Sequence, residues 1–205
     1  MQDNIKTILV GYSGHGYVVG EAALLSNLRL MAYCDILEAS FNPFQLSYLG
    51  SEKNESFDWN IEQSYILGIG DNKLRVKIGE FILSKGRQVL RVIHPKSTVS
   101  QFCSIGVGSF INAGAIINAF AIIGEMCIIN SGAIVEHECV LEKGVHIAPG
   151  AVLAGNVIVG EQTFIGANSV VRQGIKIGKN CIIGAGSVIV KDIPDGSVVY
   201  GNPAK

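Results

Sequence analysis

Residues 111–129 read Ile111-Asn112-Ala113-Gly114-Ala115-Ile116-Ile117-Asn118-Ala119-Phe120-Ala121-Ile122-Ile123-Gly124-Glu125-Met126-Cys127-Ile128-Ile129. Every sixth residue is aliphatic. Followed outward in both directions, the register holds without a slip: Ile93, Val99, Ile105, Ile111, Ile117, Ile123, Ile129, Val135, Leu141, Ile147, Leu153, Val159, Ile165, Val171, Ile177, Ile183 and Ile189. A period of six fits neither a helix nor a simple alternating strand. It is the signature of a hexapeptide-repeat parallel β-helix, with three hexads to each triangular coil. The run to Pro194 predicts roughly five to six coils and, at about 4.8 Å per coil, a prism roughly 25–30 Å tall.

Two further positions of the hexad agree. Four residues after the aliphatic one stands a small residue (Ser97, Cys103, Ser109, Ala115, Ala121, Cys127, Ala133, Cys139), as the inside of a narrow triangle requires. Three after it stands Gly or Asn in ten of seventeen hexads, which supplies the positive φ of a tight corner. Coils of this kind bury little alone and are stable only when stacked. Four of the five cysteines (Cys103, Cys127, Cys139 and Cys181; the fifth is Cys34) occupy the small position and none forms a C-x-x-C pair. They read as packed small residues in a reducing, cytoplasmic protein.

The first ninety residues follow another rule. Ile5–Val10 is an apolar strand, followed by the glycine-rich turn Gly11-Tyr12-Ser13-Gly14-His15-Gly16. Tyr17–Ser26 has helical spacing, and Leu28–Cys34 is a second strand ending at Asp35. Residues 38–64 are mixed, with a polar stretch Ser51–Asn60. Tyr65–Ile69 is a strand, Lys73–Ser84 a helix, and Val89–Ile93 a last strand running into the repeat. The order predicts an α/β, Rossmann-like parallel sheet. Glycines after the first strand let a phosphate approach a helix N-terminus, and an acid ending the second strand commonly meets a ribose or base. G-x-G-x-x-G is matched imperfectly, its third glycine displaced to Gly20. The sheet is short for a dinucleotide, so a nucleotide or nucleotide-sugar fits better. The expected division is 1–92, 93–194 and a capping segment 195–205.

The bulk numbers narrow the classes. A net charge of -1 argues against a nucleic-acid surface. Met1–Lys6 lacks the form of a signal peptide. No stretch approaches eighteen apolar residues, so no membrane span is expected.

Of four histidines, His94 precedes Pro95 at the first coil and reads as structural, and His15 lies in the glycine turn. His137 stands in Val135-Glu136-His137-Glu138-Cys139, three polar residues in a row at a corner of a regular repeat. His146 takes a place that is Ile, Val or Phe elsewhere in the middle coils. Breaks in a consistent local rule mark functional sites. An imidazole takes up a proton near neutral pH, and an adjacent carboxylate fixes its tautomer.

Both halves together resemble the NeuD/PglD family of bacterial sugar acyltransferases. The resemblance rests on the glycine turn, on Ile129-Asn130-Ser131-Gly132-Ala133-Ile134-Val135-Glu136-His137-Glu138-Cys139, on His146-Ile147-Ala148-Pro149-Gly150 and on Gly201-Asn202-Pro203-Ala204-Lys205. It implies a left-handed β-helix, a cytoplasmic homotrimer and acetyl-CoA as co-substrate, with no metal. The implied activity is N-acetylation of a nucleotide-linked 4-amino-4,6-dideoxy sugar in glycan biosynthesis. It also implies His137 as general base tuned by Glu138, and Asn130, His146, Gly155, Ala167 and Ala185 along acetyl-CoA. The nucleotide-sugar falls to Gly11, Ser13, Gly14, His15, Asp35, Ile36, Gly68 and Ile69. Members often carry a second acid where Ile36 stands. Ala167 and Ala185 are eighteen residues apart and so stack on one edge, as do His137 and Gly155 on another. Outward apolar residues such as Phe110, Phe120 and Phe164 suit subunit contacts.

Three rivals remain at this stage. They are O-acetylation of sialic acid or another sugar hydroxyl, a zinc hydratase on the same prism like the γ-carbonic anhydrases, and a scaffold without catalysis. The hydratase needs three histidines around zinc, and only His137 and His146 lie near one another.

Overall fold

The computed structural model describes residues 6–59 and 63–205. The readings of Met1–Ile5 and of Asn60 lie outside them. The N-terminal part runs β1 (Lys6–Val10), α1 (Gly14–Leu25), β2 (Arg29–Cys34), β3 (Ser47–Tyr48), β4 (Gln63–Leu67), α2 (Asn72–Ser84) and β5 (Gln88–Val89). The sheet order is β3-β2-β1-β4-β5, with every pair parallel. Four of the five residues in β1 and in β4 are buried, as expected of strands covered on both faces. Strand order reverses between β1 and β4, which opens a crevice at their C-terminal ends.

Local departures from the sequence reading have local causes. The first helix starts at Gly14, ahead of Tyr17, so that Gly14-His15-Gly16 is its first turn and extended Ser13 its N-cap. The second starts at Asn72 because the Asp71 carboxylate accepts the Leu74 N–H at 2.8 Å. The expected strand Val89–Ile93 divides. Leu90 N–H donates to Tyr65 in the N-terminal sheet, whereas Val92 N–H donates to Ser109 in the coils. Val89 and Val92 therefore belong to different sheets.

From Val92–Ile93 the chain winds as a parallel β-helix. Its three faces carry seven, six and five two-residue strands among the described residues. Register advances by one coil at a time, Ile111 to Ile129 to Ile147. The aliphatic positions and the small positions fill the inside: Ile111, Ala115, Cys127, Val135 and Cys139 are all fully buried. Every corner residue from Gly108 to Gly186 has positive φ, including Phe120, Met126, Glu138 and Gln162, which are neither Gly nor Asn. His94 is structural, its Nδ1 accepting the Lys96 N–H at 3.0 Å. Val198–Val199 adds to the last coil and the Ala204 N–H donates to Val188.

The N-terminal sheet and helices sit on the face that carries Val92, Phe110, Ile128 and His146. Phe110 and Ile128 are buried with Leu9, Tyr12 and Val19. Phe110 thus points outward from the prism yet is covered by the chain's own first half, Phe164 is partly covered, and Phe120 alone of the three stays exposed. Arg75 of α2 locks the two halves together. Its Nε donates to Met126 O (2.8 Å), Nη1 to Ile69 O (3.2 Å) and Gly70 O (2.9 Å), and Nη2 to Asn72 Oδ1 and Gly144 O (both 2.9 Å). No helix among the described residues is long and apolar enough to cross a membrane.

Candidate active site

The crevice between β1 and β4 is shaped by glycines. A Cβ on Gly16 or on Gly68 would strike the Gly11 carbonyl, and one on Gly68 would also lie 2.7 Å from Gly16 Cα. The first turn of α1 therefore closes directly on the two strand ends. Gly20 has a different task, since its Cβ would meet the Phe44 ring at 2.7 Å. The third glycine of the fingerprint is thus replaced across space by Gly68. Ser13 makes no side-chain cap, which leaves the first-turn N–H groups of α1 free for an anion. Gly11, Asp35, Ile36 and Ile69 line one small cavity at these strand ends. Asp35 already has backbone partners there: Oδ2 accepts Tyr12 N–H (2.8 Å) and Oδ1 accepts Ile36 N–H (2.7 Å). It therefore braces the glycine turn as well as facing the cavity. Ile36 is exposed.

His15 and His146 meet where the two halves join. Their ring centroids are 6.4 Å apart. Phe110 lies edge-on to His15 at 5.6 Å, and Phe164 edge-on to His146 at 5.0 Å. Asn130 Oδ1 accepts from Ser131 N–H (2.8 Å) and Asn112 Nδ2 (3.0 Å), which fixes the amide and turns its Nδ2 to His146 Nε2 at 3.3 Å. The network therefore assigns the His146 proton to Nδ1. Burial, then the Arg75 charge, lowers the His15 pKa to about 4. Burial, then Arg75 and His15, lowers that of His146 to about 3, with the Gly70 carbonyl working the other way.

Both rings are neutral in the folded protein but titrate near 6.5 when unfolded. Below that value the unfolded chain binds more protons, so stability is lost as pH falls towards about 4 for His15 and about 3 for His146. Each contributes a slope of about 1.4 kcal/mol per pH unit within its window. Denaturant midpoints should therefore fall between about pH 7 and about pH 5, and His15→Asn should flatten the slope. Equal midpoints for the wild type would contradict this.

His137 and Glu138 lie elsewhere, on the corner after Ile134–Val135. Glu138 Oε2 stands 3.0 Å from His137 Nδ1, and both side chains are more than half exposed. The carboxylate thus holds the proton on Nδ1 and leaves Nε2 as the free acceptor. One coil on, a Cβ at Gly155 would lie 2.5 Å from Cε1 and 2.6 Å from Nε2 of the His137 ring. Glycine is required there for the imidazole to lie against the coil. Gly155→Ala should push the ring aside and lower kcat by about 10²-fold with little change in melting temperature. Unaltered kcat would show that the ring position is immaterial.

The structure thus gathers the residues singled out from sequence into three groups. Gly11, Ser13, Gly14, Asp35, Ile36, Gly68 and Ile69 surround the crevice. His15 joins His146 and Asn130 at the seam, with Ala167 and Ala185 on successive coils of the corner that carries Asn130. His137, Glu138 and Gly155 occupy the next corner, beyond the strands Ile134–Val135 and Val152–Leu153. The reading missed Arg75 and the Asn112–Ser131 contacts that orient Asn130. Among the described residues no group of three His, Cys, Asp or Glu is placed to hold a metal ion.

Residues 6–82 match the PglD N-terminal domain, 120–155 the bacterial transferase hexapeptide (six repeats), and 156–191 the hexapeptide repeat of succinyl-transferase. The acetyltransferase domain of PglB from Neisseria gonorrhoeae FA1090 is 36% identical, over 98% of this chain and 99% of that one, with a TM-score of 0.93. The chain belongs to the NeuD/PglD family of sugar acyltransferases. The same PglB domain has been solved with acetyl coenzyme A, at 35% identity over 98% of each chain and TM-score 0.91. Another similar structure is PerB from Caulobacter crescentus with CoA and GDP-perosamine, 34% identical over 98% of this chain and 96% of that one, TM-score 0.88. No curated protein sequence matches the chain. As a NeuD/PglD member with hexapeptide-transferase repeats, it is an acyltransferase.

Proposed function

We propose that the protein moves an acetyl group from acetyl-CoA to the amine of a nucleotide-linked 4-amino-4,6-dideoxy sugar. The observation that carries this reading is the exposed His137–Glu138 pair, with Nδ1 engaged at 3.0 Å and the ring lying over Gly155. The similarity to PerB, solved with CoA and GDP-perosamine, supports an amine acceptor over a hydroxyl.

In this mechanism the amine lone pair attacks the thioester carbonyl carbon while His137 Nε2 takes the amine proton. The resulting imidazolium is stabilised by Glu138. Collapse of the tetrahedral intermediate expels the coenzyme thiolate, which recovers the proton from His137. A backbone N–H near Gly155 would face the developing oxyanion. A thioester is already activated, so no acyl-enzyme is needed. The cysteines offer little alternative: Cys127, Cys139 and Cys181 are buried inside the prism, and burial pushes Cys127 up to about 12.

Residues 1–92 would hold the acceptor through Gly11, Ser13, Gly14, His15, Asp35, Ile36, Gly68 and Ile69. Residues 93–194 would hold acetyl-CoA along Asn130, His146, Gly155, Ala167 and Ala185, with 195–205 covering the last coil. His137 projects from a corner and His146 from a strand of the prism, with the strand Val140–Leu141 between them in the chain. This favours a site shared by neighbouring copies, as in a homotrimer about an axis parallel to the prism. A cytoplasmic setting fits the free cysteines.

The test is acetyl transfer assayed with nucleotide-linked 4-amino-4,6-dideoxy sugars and, separately, with free sialic acid. Turnover of the amino sugar alone is expected. Turnover of sialic acid alone would replace this reading with O-acetylation.

A further inference from the structure

Phe120 occupies a conformation that no hydrogen bond of its side chain or burial among the described residues repays. Its φ is +64°, the left-handed region that a bulky side chain rarely adopts. Three other corner residues that are neither Gly nor Asn share this conformation, and each has a visible reason. Met126 is buried against Gly79, and its carbonyl accepts Arg75 Nε. The Gln162 carbonyl accepts Asn72 Nδ2 at 3.0 Å, and its side chain lies against Gly144. Glu138 pairs with His137. Phe120 is 64% exposed, and its one aromatic neighbour among the described residues is the ring of Phe102, 6.0 Å away and itself 61% exposed. Strained residues of this kind cluster where a ligand is held.

Its place in the fold indicates which ligand. Phe120 stands one coil before Glu138 on the same corner, since the Glu138 N–H donates to the Ala119 carbonyl. The His137 ring leans the other way, onto Gly155. Of the positions assigned above to acetyl-CoA, Gly155, Ala167 and Ala185 lie on later coils, while Asn130 and His146 flank His137 in the chain. A thioester arriving from that side leaves the opposite side of His137 for the nucleophile. Phe120 is the wall there, with Phe102 one coil further on. A deoxyhexose has an apolar edge at its methyl carbon, and burying that edge on an aromatic face is favourable.

Resting on the function proposed above, we propose that Phe120 is a specificity-determining residue that receives the deoxyhexose ring of the acceptor and directs its amine towards His137. Phe120→Gly is the informative variant because glycine accepts φ +64° freely, so the fold keeps or gains stability. It should raise the acceptor KM about tenfold and leave the acetyl-CoA KM unchanged. It should also weaken any preference for a 6-deoxy sugar over its 6-hydroxy counterpart. Phe120→Asn, which also tolerates this backbone, should behave as Phe120→Gly does, and Phe120→Leu should fall between them and the wild type.

An unchanged acceptor KM would overturn the assignment. So would a change in oligomeric state by sedimentation with the acceptor KM preserved, which would make Phe120 a contact between copies. Wild-type turnover in the same assay separates the two proposals. Its absence with every nucleotide-linked amino sugar would remove the proposed function and this role together, whereas normal turnover with an unaffected Phe120→Gly removes this role alone.

Discussion

His137→Ala should lower kcat for acetyl transfer by about 10²–10⁴-fold, the usual contribution of a positioned general base, while the acetyl-CoA KM stays near that of the wild type. The side chain is half exposed and its one close polar partner among the described residues is Glu138 at 3.0 Å. Removing it therefore opens no cavity in the prism and leaves no buried group unpaired. Loss of rate without loss of stability is the pattern expected of a base that acts mainly in the transition state. Glu138→Gln should give a smaller defect, because an amide still holds the ring but no longer stabilises the imidazolium. Near-normal turnover in His137→Ala would remove the base from the mechanism. A fall in melting temperature matching the fall in rate would make the residue structural.

The second large effect concerns stability. Arg75→Met keeps most of the side-chain volume but removes every donor of a guanidinium that is 1% exposed. Burial lowers its pKa to about 10, so it remains a cation at neutral pH. The carbonyls of Met126 and Gly144 in the coils, and of Ile69 and Gly70 before α2, would lose their partner. Each buried acceptor left unpaired costs about 1–3 kcal/mol. The summed loss should exceed about 3 kcal/mol, a large share of an ordinary folding free energy of about 5–15 kcal/mol. The ion pair of Lys143 with Glu80 (3.0 Å) spans the same seam, and that with Glu125 (3.1 Å) lies within the coils; both are largely exposed and contribute little. Urea unfolding checks the prediction, and a midpoint within error of the wild type would show that the two halves do not depend on this residue.

The prism was legible in the sequence because its rule is local and repeats. An aliphatic residue every six, a small residue four later and a left-handed residue three later are set by the inside and corners of one coil. His137 and Glu138 stood out for the same reason, as departures from that rule. The docking of the first half on the coils was not legible. Phe110 and Ile182 hold the same position of the repeat on the same face, yet one is buried by β1 and α1 and the other exposed, and no periodicity separates them. Arg75 went unnoticed because a cation in an amphipathic helix ordinarily faces solvent. The partners that join it to the coils are backbone carbonyls some fifty and seventy positions away. The one signal for it is Gly79, four residues on along α2, which makes room for Met126. The glycine turn pointed to a phosphate, but the tight closure it needs comes from Gly68, just past the end of β4.

The central claim, acyl transfer at His137, is tested most directly by a crystal structure with CoA and a nucleotide-linked 4-amino-4,6-dideoxy sugar. The expected result is the sugar amine at about 2.6–3.2 Å from His137 Nε2, with the coenzyme sulfur on the Gly155 side of the ring. A sugar whose amine points away from His137, or a coenzyme bound away from the Gly155 corner, would contradict it.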